Sequence, residues 1–97
     1  MVNFEKEQKV DVMPCETTEK TIPELEKEGW EYLYSFHCNI QEQWRGACEK
    51  AQEAIRSGLY EVILVPGKNE LEKKDGIQYL YRKKTQKLVD LEKQHGY

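Results

Sequence analysis

An α/β (α+β) fold is what this sequence predicts: one domain over residues 1–97, element order βαβαββα, with a four-stranded mixed sheet packed by helices. Three observations carry that expectation. Apolar residues recur at helical spacing in some stretches and alternate in others. Capping and turn residues separate these stretches at short intervals. Helix-like stretches divide the strand-like ones except for the last two, which read as an antiparallel hairpin with a long loop.

Residues 10–13, VDVM, form a short strand candidate that ends at Pro14. Thr21 is the best cap for the first helix, because Thr21 and Glu24 make a capping box and Pro23 falls in the first turn. This helix is expected over 22–28, stopping at Gly29. Residues 30–38, WEYLYSFHC, read as an aromatic-rich strand. Strict alternation puts Tyr32, Tyr34, Phe36 and Cys38 on one face, and Leu33, Ser35 and His37 on the other.

Asn39 then caps a long helix over 40–57, with Glu42 completing a second capping box. Its apolar stripe is Ile40, Trp44, Ala47, Cys48, Ala51 and Ile55, and Gly58 ends it. Residues 59–65, LYEVILV, have a continuous apolar centre and read as a strand buried on both faces. The polar stretch 67–76 reads as a loop. Residues 77–81, IQYLY, give the fourth strand, leaving the core through Arg82, Lys83 and Lys84. Thr85 caps a last helix carrying Leu88, Val89 and Leu91.

Composition narrows the function classes. Formal net charge is −3, from 15 basic and 18 acidic residues, which argues against nucleic-acid binding through overall charge. No apolar run approaches the length of a membrane span. The first ten residues lack the apolar core of a secretory signal, and three cysteines at irregular spacing make no disulfide framework. The expectation is a cytoplasmic chain with reduced thiols, no membrane association and no cofactor.

Cys15 is the candidate nucleophile: it follows Pro14 and precedes the first helix, where partial positive charge favours a thiolate. Glu16 opposes that effect, and an ordinary loop thiol is the alternative. Cys38 and Cys48 are expected to meet in the core as small apolar side chains. His37 and Cys38 point to opposite faces, and three Cys with two His show no paired ligand spacing, so no metal site is expected. His95 reads as a solvated helix end. Tyr79, Tyr81, Arg82, Lys83 and Lys84 combine aromatic and basic residues in the manner of a single-strand-binding platform, with Lys87 beside them. The competing view is a core face with a solvated strand end.

The element order, with MPCETT at residues 13–18 just after the first strand, resembles the thioredoxin-like fold and its glutaredoxin branch. LEKEGWEYLYSF at residues 25–36 is similar to that family's passage from first helix to second strand. The resemblance implies a thiol protein using Cys15. The chain departs from it at Thr18, where the family has a second cysteine or a serine. It departs again at Gly58, Leu59 and Tyr60, where the family has a proline before the third strand.

The leading expectation is a small non-catalytic binding or regulatory module with a protein as partner, through the 67–76 loop or an aromatic edge at Tyr79 and Tyr81. Edge pairing into a homodimer is a further expectation. The alternatives are the thiol protein and a single-stranded nucleic-acid binder.

Overall fold

A computed structural model describes residues 12–94. Within them, four helices and three strands alternate. Thr21 starts α1 (Ile22–Lys27): Glu24 N–H donates to Thr21 Oγ1 and Thr21 N–H donates to the Glu24 carboxylate, the reciprocal pair expected of a capping box. Strand β1 (Glu31–His37) follows, then the long helix α2 (Gln41–Ser57), which ends on Gly58 in the left-handed region (φ 75°). Strand β2 (Tyr60–Pro66) leads to a short helix α3 (Glu70–Asp75), then β3 (Ile77–Lys84) and α4 (Gln86–Gln94). Thr85 caps α4, accepting from Leu88 N–H and donating to the Gly58 carbonyl.

The sheet order is β1-β3-β2, and both contacts are antiparallel. Among the described residues the sheet thus has three antiparallel strands, where the sequence predicts a four-stranded mixed sheet. The strands joined by α2 are not neighbours, because β3 inserts between them. The first strand expected at 10–13 falls partly outside the described residues, and Val12 and Met13 belong to no element. Strand-like contact comes later, as a single parallel bridge between Thr17 and Leu64.

Two helix expectations also change. Residues 67–76 are not a bare loop: Asn69 Oδ1 accepts from Glu72 N–H at 2.9 Å and starts α3. Asn39 does not cap α2. The cap position is Ile40, without a side-chain bond, after a turn closed by Ile40 N–H on the His37 carbonyl. Asn39 instead lies against Gly76, and its Oδ1 accepts from the Cys38 thiol at 3.7 Å.

A bulge between Tyr32 and Tyr34 resets the alternation of β1. Tyr32 pairs with Tyr81, and Tyr34 with Leu80, so these two tyrosines face opposite sides of the sheet. On one side, Phe36, Leu80, Val62 and Leu64 pack beneath Ala47 and Ala51 of α2. On the other, Val65 and Tyr81 pack with Leu25 of α1, joined by Ile22, Trp30, Ile63 and Tyr79. Strand β2 is therefore apolar on both faces, as its unbroken apolar run requires. The stripe of α2 is buried only at its centre, because Ile40 and Ile55 at its ends are exposed.

Candidate functional site

The sequence-level candidates are not brought together. Cys15 lies upstream of α1, not at its N-terminus, because Thr21 and not Thr18 is the cap. It packs, half-buried, against the core beneath α2. Burial, and then the neighbouring Cys48, pushes its thiol up to about 11. That is the reverse of what a thiolate nucleophile needs. Cys38 also packs against this core, and Cys48 is buried within α2.

The aromatic and basic residues of β3 divide between the two sheet faces. Tyr79, Tyr81 and Lys83 lie on the α1 side, whereas Arg82 and Lys84 lie on the α2 side. Tyr81 is only 5% exposed, and burial raises its pKa. Tyr79 donates its hydroxyl to Glu72 at 3.0 Å, with Lys68 Nζ over its ring at 5.1 Å. Arg82 pairs with Glu31 at 2.8 Å and covers the Tyr60 ring at 4.3 Å. Lys83 lies over Trp30, and Lys84 pairs with Glu92 at 3.0 Å. Each cation of the run is engaged within the chain. His95 lies outside the described residues.

A different place gathers polar groups around an open space. A cavity of about 780 Å³ opens at the C-terminal end of β2. Such a volume falls in the range of ligand and peptide clefts. One wall is residues 17–23, and the other is residues 65–68 with Lys73 of α3. Ile22, Pro23, Val65 and Pro66 supply its apolar lining. Three threonines, Thr17, Thr18 and Thr21, line it as well. Its charged groups are Lys20, Lys68 and Lys73 against Glu19, an excess of cations in a chain of net charge −3.

The elements that form this groove are held firmly. Leu64 N–H donates to the Glu16 carbonyl, and Thr18 N–H donates to the Leu64 carbonyl, both at 2.9 Å, fastening the first wall to β2. Gly67 is buried beneath α3, and a Cβ there would lie 2.7 Å from both Glu72 Cβ and the Lys73 backbone nitrogen. Only glycine permits that approach. Glu72 ties the second wall together by accepting from Lys68 N–H at 2.8 Å and from Tyr79 Oη. The Lys68 hydrogen bond is the main cause holding its carboxyl below the ordinary range. Lys20 is neutralised by Glu28 at 2.6 Å. Lys68 and Lys73 form no ion pair with any described residue.

A second, shallower depression is lined by Cys38, Trp44, Leu64 and Gln78. The Gln78 Oε1 atom there is buried with no hydrogen-bond partner among the described residues.

Sequence reasoning missed the groove because its walls are far apart in the chain. As a contact surface the sequence offers the 67–76 stretch, which supplies Gly67, Lys68 and Lys73, while Thr21 and Pro23 read only as a helix start. One signal was available: Asn69 and Glu72 repeat the spacing of Thr21 and Glu24, marking a helix start beside Lys68.

No protein-family model matches the chain, and searches of curated proteins and of solved structures find no match. Among the described residues, no helix is long and apolar enough to cross a membrane, and no three potential metal ligands converge.

Proposed function

We propose that this domain is a small non-catalytic binding module with a protein as its partner, and that the groove at the C-terminal end of β2 is its contact surface. The groove carries this reading: a lining that combines apolar residues with hydroxyls and cations suits a peptide segment, which offers both apolar side chains and hydrogen-bonding groups. The thiol alternative asks for a depressed pKa at Cys15, and burial acts in the opposite direction. The nucleic-acid alternative asks for free aromatic faces and cations on one side of β3, where internal pairing and the strand's own alternation work against it.

The test is affinity capture from extract with the wild-type chain and with Thr17→Trp. Thr17 is exposed on the groove wall, so tryptophan there fills the space without disturbing a buried group. Partners held by the wild type are expected to be lost from the variant. If every captured protein stays bound to Thr17→Trp, the groove is not the contact surface.

A further inference from the structure

The sheet has two edges, and they differ. The β1 edge is blunted. Its bulge twists the strand, and at its end His37 N–H donates to the Gln43 side chain at 2.8 Å while the His37 carbonyl accepts from Ile40 N–H. The β2 edge is extended by the Thr17–Leu64 bridge. There the Glu16 carbonyl and the Thr18 N–H both bond to Leu64. In a parallel bridge this leaves the N–H and carbonyl of Thr17 directed away from β2. Neither group has a partner among the described residues. Among the described residues Thr17 is thus an open edge position, and it lines the groove.

From this geometry we infer that the groove takes an extended, acidic protein segment, which adds to the sheet at Thr17 and sets carboxylates against Lys68 and Lys73. The inference rests on the groove being the protein-binding surface. Strand addition supplies main-chain hydrogen bonds, and the groove supplies selection among side chains. Alternate residues of an extended segment point to the same side, so apolar side chains meet Ile22 and Val65 while the intervening ones reach the rim. Charge complementarity selects the acidic segment. Lys68 and Lys73 form no ion pair with a described residue, although Lys68 Nζ lies over the Tyr79 ring at 5.1 Å; Lys20 is already matched by Glu28, and Glu19 is the carboxylate of the lining. Glu72 accepts from the Lys68 backbone and from Tyr79, and the Lys68 charge also helps to hold its carboxyl ionised.

The experiment measures fluorescence anisotropy of a short labelled peptide alternating glutamate with valine. Matched peptides replace glutamate by glutamine or by lysine, and a further one carries N-methyl groups on alternate peptide nitrogens. The glutamate peptide is expected to bind saturably, with affinity that falls as salt rises. The double variant Lys68→Glu/Lys73→Glu and the N-methylated peptide should each weaken binding about tenfold or more, as for loss of a matched charge or main-chain bond. Lys93→Glu, on α4, should leave it unchanged. Absence of binding by the glutamate peptide, or equal binding by the lysine peptide, overturns the inference. So does full affinity of the N-methylated peptide. If the glutamine peptide binds as well as the glutamate peptide and Thr17→Trp abolishes both, the charge selection is wrong while the groove remains a protein-binding surface. If no peptide binds and Thr17→Trp also leaves captured partners in place, both readings fall.

Discussion

At Cys15 the surroundings act on the proton before they act on any reaction. Burial favours the neutral thiol, so the folded chain holds its proton more tightly than the unfolded one. The stabilisation from this side chain is complete below the ordinary value of 9.0 and is lost as pH rises through about 11. Alkylation of Cys15 by iodoacetamide, followed by peptide mass with Cys15→Ser as the blank, should be slow near neutral pH and speed up only toward pH 11. Rapid labelling near neutral pH would show a thiolate that the folded environment should not allow. Gln78 poses the complementary case, a buried acceptor without a partner among the described residues. Gln78→Met keeps the length and removes the polar atoms, and is expected to raise the unfolding free energy by about 1 kcal/mol. A urea titration showing a loss instead would mean that the amide is hydrogen-bonded in solution.

Among the elements, α3 rests on a few specific contacts. Six residues make too short a helix to stand alone, and it has no buried residue. The Asn69 cap, the Glu72–Tyr79 hydrogen bond and the close approach of Gly67 hold it. Gly67→Ala forces a Cβ into Glu72 and Lys73, so α3 must move. The expected loss is about 1–3 kcal/mol in chemical denaturation, as for other overpacked sites. Unchanged stability would show that α3 shifts freely, and the second wall of the groove would then not be fixed. Strand β1 makes a related point about sequence patterns. Its residues alternate well enough to predict one aromatic face, but a single bulge sends Tyr32 and Tyr34 to opposite sides. Tyr32 then meets Tyr81 edge-on at 6.1 Å, while Tyr34 stacks with Phe36 at 6.2 Å.

Across the whole molecule, protection from solvent is uneven. Strand β3 lies between two strands, with Leu80 fully buried on one face and Tyr81 nearly so on the other. Helix α4 sits at the far end of the chain, and none of its residues is buried. Amide hydrogen exchange should therefore be slowest in the middle of β3 and fastest in α4, with α2 closer to β3 than to α4. Comparable protection in α4 and β3 would contradict this layout and point to a further contact covering α4.

The sequence by itself determined the local structure wherever neighbouring residues suffice. Thr21 with Glu24, Gly58 after α2 and Thr85 before α4 mark their boundaries because capping and left-handed turns are short-range chemistry. The apolar run of β2 announced a strand buried on both faces for the same reason. Asn39 misled because its side chain had a competing place beside Cys38 and Gly76, which only the folded chain brings within reach. Strand order, the bulge that splits the tyrosines and the groove at the end of β2 were decided by tertiary structure. Each depends on contacts between segments far apart in the chain: β3 settling between β1 and β2, residues 16–18 fastening to Leu64, and Lys68 and Lys73 facing residues 17–23. Spacing along the sequence carries no record of which distant segments will meet, because that choice is made by burying two apolar faces at once.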